Sequence, residues 1–377
     1  MPRILFIASH REGRSPTQRF RFEQYFGHLR RNGMECVLSP LVSEADDRIL
    51  YSPGNLRRKA LFVWRSIGKR RAEVAQLKDF DLVYVSREAL MSRSTFFERA
   101  CKASGVPMVY DFDDSIWLPN VSDANRRWNW VKDPDKTSRI IALADLVIAG
   151  NPYVADYARR FNGRVEIVPT TIDTDEYQPR RQRPEGPVVI GWSGSITTIA
   201  HFQHAVPALR RIKDKYGDRI TFRVVGDGAF RQPDLGITGL PWRKDTELDD
   251  LRAMDIGIMP LADDDWARGK CGLKGLQYMA LGIPALMSPV GVNCEIIRHG
   301  VNGFLPRTED EWVEQLSRLV EDADLRRRMG EAGRETVVQQ YSTLAWQDRY
   351  LQLFNALIKP HPGTDVRTEK DRTLARS

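Results

Sequence analysis

Residues 81–111 read DLVYVSREALMSRSTFFERACKASGVPMVYD. Asp81–Ser86 is a short apolar run that predicts a buried strand, a helix follows as far as Gly105, and Pro107–Asp111 predicts a second strand that stops at a cluster of acids. A strand, a helix and a strand within this length form a βαβ unit and hence a parallel sheet. The same alternation extends outward. Arg3–Ser9 predicts a strand, Thr17–Asn32 a helix closed by Gly33, and Asp145–Ala149 and Arg164–Pro169 predict strands around a helix over Pro152–Phe161. A second series follows, with strands expected at Pro187–Trp192, Ile220–Val225, Asp255–Pro260 and Pro284–Ser288. Its helices are expected at Ile199–Tyr216, Thr246–Met254 and Leu273–Leu281, and helices fill most of Glu309–Ile358.

The fold class expected is therefore α/β, with two facing, doubly wound Rossmann-like domains on parallel sheets. They are assigned to residues 1–178 and 188–340, joined by a polar, proline-rich linker over 179–187, and the polar tail 359–377 is expected to be disordered. A chain of 377 residues suits two domains. Its four cysteines form no C-x-x-C pair, which argues against a zinc site or a disulfide framework and for reduced thiols in the cytoplasm. The two long uncharged stretches, Gly186–Leu209 and Gly275–Cys294, are too polar or too interrupted by Pro and Gly to span a membrane.

Ligands of doubly wound sheets sit at the carboxyl ends of the strands, so the site is expected in the cleft between the domains. Gly194 and Ser195 follow a strand, where glycine lets backbone N–H groups approach an anion. Neither a P-loop nor G-x-G-x-x-G after the first strand is present. Lys270 and Lys274 stand four residues apart at the start of a helix, a pattern that suits a diphosphate. Two solvated lysines are the plainer alternative. Asp111 and Asp113 imitate a metal-binding D-x-D. The lysines make that metal unnecessary, so no metal and no cofactor are expected. Arg19 and Arg21, in the loop after the first strand, are candidates for contact with a ligand phosphate, with surface arginines at a helix start as the alternative.

The segment Gly269–Gly303, GKCGLKGLQYMALGIPALMSPVGVNCEIIRHGVNG, resembles the donor-binding motif of glycosyltransferase family 4, retaining enzymes of the GT-B fold. Residues 277–284, QYMALGIP, are similar to the family's E-A-M-A-x-G-x-P. Residues 291–297 with 300–304 are similar to its G-G-x-x-E-[IV]-[IV] and G-x-[NT]-G-[FL]. Gly226 and Asp227 fall on its V-G-x-G strand end, and residues 145–149 and 169–173 on the end of its N-terminal domain. The two glutamates of the family's E-x7-E fall on Gly269 and Gln277. The resemblance implies a nucleotide-diphosphate sugar donor on the second domain, bound by Gly194, Ser195, Gly226, Asp227, Lys270, Lys274 and Gln277, the last at the ribose. It implies an acceptor on the first domain near Arg19, Arg21 and Asp113, with Asp113, Asp114, Lys270 and Lys274 serving the reaction. It also implies a helix over 341–358 that crosses back to the first domain.

The expected function is transfer of a sugar to an acceptor hydroxyl with retention, in bacterial surface glycan or polysaccharide biosynthesis. A non-catalytic nucleotide-sugar-binding relative and a nucleotide-sugar epimerase are the alternatives. The net charge of +7 is concentrated in residues 48–72, with eight basic residues and no acid. Leu56, Ala60, Val63, Trp64 and Ile67 recur there at helical spacing. That pattern fits either an interfacial helix on an anionic membrane, with a glycan or lipid-linked acceptor on the inner face of the cell membrane, or a helix packing its stripe on the sheet. No nucleic-acid motif accompanies the basic run, and no nucleic-acid partner is expected.

Overall fold

The computed structural model describes residues 1–50, 54–118, 133, 135–180 and 185–358. The tail expectation for 359–377, and residues 181–184 of the linker, lie outside the described residues. The first sheet holds β1 (Arg3–His10), β2 (Glu35–Val42), β3 (Leu82–Ser86), β4 (Met108–Phe112), β5 (Leu146–Ala149) and β6 (Val165–Ile167). All pair in parallel, in the order β2-β1-β3-β4-β5-β6. The central strands are buried from end to end, as strands covered on both faces must be. The sequence reading did not predict β2. It lies at the sheet edge, where Pro40 is tolerated because its missing N–H faces no neighbour.

The second sheet is built from β7 (Val188–Ser193), β8 (Ile220–Gly226), β11 (Leu240–Pro241), β12 (Ile256–Met259), β13 (Ala285–Met287) and β14 (Gly303–Phe304). The hairpin strands β9 (Arg231–Gln232) and β10 (Ile237–Thr238) intervene after β8. This sheet is also parallel, ordered β11-β8-β7-β12-β13-β14. The strand order reverses between β1 and β3 and between β7 and β12, which places a crevice at the carboxyl ends of those strands.

The chain passes between the sheets twice. Ile172 N–H donates to the Tyr341 carbonyl at 2.8 Å and Thr343 N–H to the Ile172 carbonyl at 3.0 Å, tying the two crossings together. The helix Thr343–Asn355 then lays Tyr350, Leu353 and Phe354 into the core of the first sheet with Phe6 and Tyr84.

Two expected helices are broken. Over 17–32 the chain forms a short helix at Pro16–Arg19, a single turn at Glu23–Tyr25 and a helix at Phe26–Arg31, because Arg21 turns inward between them. Over 199–216 the break lies at Gln203–Ala205, just before Pro207 opens the longer helix Val206–Tyr216.

The basic segment forms the helix Leu56–Ala75, but its buried line is not the stripe read from the sequence. Phe62, Ser66 and Arg70 face inward, and Arg70 is held by the Ala89 carbonyl at 2.8 Å, Ser39 Oγ at 2.9 Å and Glu73 at 2.7 Å. Leu61, Val63 and Trp64 face solvent, with Trp64 72% exposed. A buried arginine displaced the apolar stripe because the carbonyl ends and the carboxylate it meets satisfy its whole guanidinium.

Candidate active site in the interdomain cleft

The loop after β12 leads into the helix Leu273–Ala280, which opens at Gly272. Gly272 has φ +69°, and a Cβ there would lie 2.3 Å from Ile296 Cδ1, so the turn requires glycine. Lys274 lies one residue inside the helix. Its ammonium sits 5.5 Å from the centre of the buried Trp192 ring. Among the described residues it makes no ion pair and no hydrogen bond. Burial, with the Lys270 charge beside it, brings its pKa down to about 8. His201, after β7, is brought down to about 4 by burial and by both lysines, and is neutral at neutral pH.

Lys270 reaches across the cleft. Its Nζ is 3.3 Å from Asp114 Oδ1 and 5.1 Å from the centre of the Trp266 ring. The β3–β4 register sets Ser86 beside Asp111, which brings Arg87 alongside the acid cluster. Arg87, with φ +62°, donates from Nη2 to Asp113 Oδ1 at 2.8 Å and also bonds Asp114. Burial works against ionising either acid. Lys270 and Arg87 nevertheless hold the Asp114 carboxyl below the usual range, while burial pushes Asp113 up.

Two expectations fail at this end of β4. Asp111 and Asp113 do not face one site, because the Asp111 side chain is fully buried and paired with Arg21 at 2.5 Å. Arg21 is likewise fully buried, and also bonds the Val168 carbonyl. It is not available to a donor or acceptor phosphate, since β1 and β4 draw its guanidinium into the core as the counter-ion of Asp111.

The loop of the second domain docks directly on the first. Asn151 Nδ2 donates to the Gly269 carbonyl at 2.8 Å and the Lys270 carbonyl at 3.2 Å, Ser115 Oγ to the Asp265 carbonyl at 3.0 Å, and Cys271 Sγ to the Asp113 carbonyl at 3.0 Å. Gly269 stands where the sequence resemblance sets the first glutamate of E-x7-E. A Cβ there would stand 2.0 Å from Ser115 Oγ and 2.8 Å from Ser115 N. No side chain fits while the domains meet in this way.

Gln277 lies on the buried face of the helix, where Nε2 donates to Tyr177 Oη at 3.0 Å and Glu247 Oε1 at 3.3 Å. Glu247 also accepts from Trp242 Nε1 at 3.0 Å and Tyr177 Oη at 3.2 Å, and pairs with Arg19 at 2.5 Å. The expectation that the Gln277 amide is open to a ribose therefore fails for its N–H groups. Arg19, 9% exposed, is a cross-domain partner of Glu247 rather than a free phosphate ligand.

The glycine turn after β7 is also already engaged. Gly194 N–H donates to the Val225 carbonyl at 2.9 Å and Ser195 N–H to Thr198 Oγ1 at 2.9 Å, so neither is free for an anion. Gly226, at φ +145°, lies against this turn, where a Cβ would meet the Gly194 carbonyl oxygen at 2.5 Å. Asp227 closes its own turn by accepting from Ala229 N–H at 2.8 Å.

Of the expected residues, the cleft brings together Asp113, Asp114, Lys270 and Lys274. The sequence reading missed Arg87, Asn151, His201 and Glu247. Arg87 follows the strand DLVYVS directly and Asn151 lies two residues after DLVIA, so the carboxyl-end rule marks both. Glu247 carries no such mark, because its partners lie on other elements.

Two facing parallel sheets with a cleft at their carboxyl edges make this a GT-B fold. Sucrose-phosphate synthase from Thermosynechococcus elongatus superposes with a TM-score of 0.66 at 15% identity, over 95% of this chain and 99% of that one. Anabaena HepE in complex with UDP and glucose superposes at 0.66 with 16% identity, over 94% of this chain and 100% of that one. At such identities the likeness is one of fold. Residues 187–322, within the second domain, match the family Glycosyl transferases group 1. The lipopolysaccharide core biosynthesis glycosyltransferase LpsE of Rhizobium meliloti is 28% identical over 181 residues, 45% of this chain and 50% of that protein. The N-acetyl-alpha-D-glucosaminyl L-malate synthase of Bacillus anthracis is 32% identical over 90 residues, 23% of this chain and 24% of that protein. The chain thus spans a quarter to a half of the length of these relatives.

Proposed function

We propose that the protein is a retaining glycosyltransferase of the family 4 type, which moves a sugar from a nucleotide-diphosphate donor to an acceptor hydroxyl in bacterial surface glycan biosynthesis. One observation carries this reading: Lys274, a half-buried ammonium at the mouth of a helix, makes no ion pair among the described residues, and Asp114 acts on it only from beyond contact. A cation held there without a contacting counter-charge is prepared for one that arrives with the ligand. Lys274 meets the diphosphate, and Lys270 joins it by leaving Asp114. Negative charge grows on the leaving phosphate as the glycosidic bond breaks, so these contacts strengthen in the transition state. In the retaining reaction the leaving phosphate oxygen takes the acceptor proton on the same face. Asp113 and Asp114, set by Arg87, stand on the acceptor side. The two lysines neutralise the diphosphate, so no divalent metal is required.

The acceptor is lipid-linked in this proposal, and the protein works at the inner face of the cell membrane. Among the described residues no helix is long and apolar enough to cross a membrane. The exposed Leu61, Val63 and Trp64, beside Arg57, Arg58 and Arg71, supply a surface contact instead. Each basic residue near an anionic surface contributes ~1 kcal/mol.

The test is a thermal-shift screen of nucleotide sugars, followed by transfer assays whose product anomer is read by NMR. Stabilisation by one nucleotide sugar, lost in Lys274→Ala, and a product with the donor's anomeric configuration support the reading. Sugar interconversion without acceptor, or binding without turnover, overturns it. Equal binding to neutral and anionic vesicles removes the membrane part alone.

A further inference from the structure

A second cavity of about 420 Å3 opens in the first domain, far along the sequence from the lysine helix. It lies between the carboxyl end of β2 and the helix Leu56–Ala75, and is lined by Arg11, Ser43, Asp46, Phe62, Arg65 and Lys69. Its volume falls within the range of small-molecule sites, and the carboxyl edge of a parallel sheet is where such sites form.

Its charges do not balance. Arg65 spends itself on Asp46 at 2.6 Å. Arg11 and Arg14 both turn to the single carboxylate of Asp47, the latter at 3.1 Å. Lys69 has no carboxylate within ion-pair reach among the described residues; its Nζ donates to the Pro40 carbonyl at 2.5 Å. Burial and the Arg70 charge pull its pKa down, against the partial compensation of Glu73, which lies beyond ion-pair distance. Among the lining residues three cations, Arg11, Arg65 and Lys69, therefore face one carboxylate, Asp46. Two guanidinium forks and an ammonium approach from β1's loop and from the helix, so an anion that bonds all of them needs several oxygens on one centre.

We propose that this cavity binds a phosphate group, and that the acceptor of the transfer reaction carries that phosphate. Only the word acceptor rests on the transferase reading; the phosphate site stands on its own geometry. Two sources share this chemistry, a soluble phosphate ester and a phospholipid-type headgroup. Arg65 adjoins the exposed Trp64, which makes the second source continuous with a membrane surface.

The experiment titrates the full chain with inorganic phosphate and with glycerol phosphate, following backbone amide resonances, and measures flotation with phosphatidic acid vesicles. Saturable shifts at residues 43, 65 and 69 are expected, weakened about tenfold by Lys69→Gln. Circular dichroism checks that the variant stays folded, and Arg11→Gln supplies a second, independent weakening. Vesicle binding stronger than glycerol phosphate binding, with both reduced by Lys69→Gln, assigns the phosphate to a lipid. Equal engagement assigns it to a soluble ester, and both outcomes uphold the site. Shifts that are absent, or unchanged in both variants, overturn it. Lys274→Ala leaves these shifts in place while removing the nucleotide response, so failure of the donor reading and failure of this one are told apart.

Discussion

The Lys270 ammonium lies 3.3 Å from the Asp114 carboxylate, and this ion pair spans the two domains across the cleft. Both side chains are mostly shielded, at 15% and 21% exposure, so the pair is screened less than a surface one. A diphosphate has to draw Lys270 away from Asp114. Asp114→Asn removes that competition, and Arg87 keeps Asp113 as its partner. The variant should bind a nucleoside diphosphate about fivefold more tightly, a difference of ~1 kcal/mol. Calorimetric titration checks this, and unchanged affinity would show that Lys270 does not move to the phosphates.

Lys274→Ala should lower turnover about a hundredfold, the ~3 kcal/mol that one preorganised charge contact contributes to a transition state. Its cation–π contact with Trp192 is lost as well, a smaller effect on stability. Single-turnover kinetics separate the two. A near-normal rate in a folded variant places the diphosphate elsewhere.

The fold was legible because each buried strand is a near-continuous apolar run ended by polar residues, as at 82–86 and 108–112. The edge strand β2 was not, since its burial is partial and Pro40 interrupts the pattern. Within the site, Lys270 and Lys274 stood out through spacing on one helix. Arg21 and Arg19 misled, because a sequence shows an arginine's charge but not its counter-ion. Asp111 lies 90 residues from Arg21, and Glu247 lies 228 from Arg19. The helix Leu56–Ala75 misled in the same way, as no period reveals that Arg70 is inside and Trp64 outside.

Gly269→Glu introduces the first glutamate of the E-x7-E pattern that the sequence resembles, and should destabilise the protein rather than activate it. Gly269 has φ −76°, so its backbone tolerates a side chain; the obstacle is space. The new Cβ meets Ser115 at its backbone nitrogen, 2.8 Å away, which cannot swing aside as a side-chain tip can. Overpacking of this kind costs about 1–3 kcal/mol. Chemical denaturation measures it, and Gly269→Glu with Ser115→Gly should recover part of the loss. A single variant as stable as the parent shows that the domains separate freely at this contact.

Gln277→Ala should act through the fold. It removes two donors from the buried pair of Glu247 and Tyr177. A buried acceptor left short of a partner costs about 1–3 kcal/mol. Denaturation midpoints and nucleotide affinity are measured together. Lower stability with affinity held constant agrees with the structure, whereas full stability with weakened binding returns Gln277 to the ribose.

Nucleotide binding should take up a proton in a pH window set by Lys274. The fold lowers its pKa to about 8 from 10.5, through burial first and the Lys270 charge second. Depression of a base means that the unfolded chain binds the proton more tightly between those values. Stability from this group alone thus rises as pH climbs from about 8 towards 10.5. A bound diphosphate reverses the bias, because it stabilises the ammonium form. At pH near 8 about half of the free protein lacks the proton, so binding should take up about half a proton per nucleotide, and affinity should fall as pH rises further. The phosphate's own last proton leaves near pH ~6 and lies outside this window. His201, at about 4, lies outside it too. Titration calorimetry in two buffers of different ionisation enthalpy gives the proton count directly. Lys274→Met should abolish the uptake, while Lys270→Met should reduce it by letting the Lys274 pKa rise. Uptake of equal size in Lys274→Met would assign the titrating group to another residue and remove Lys274 from the diphosphate site.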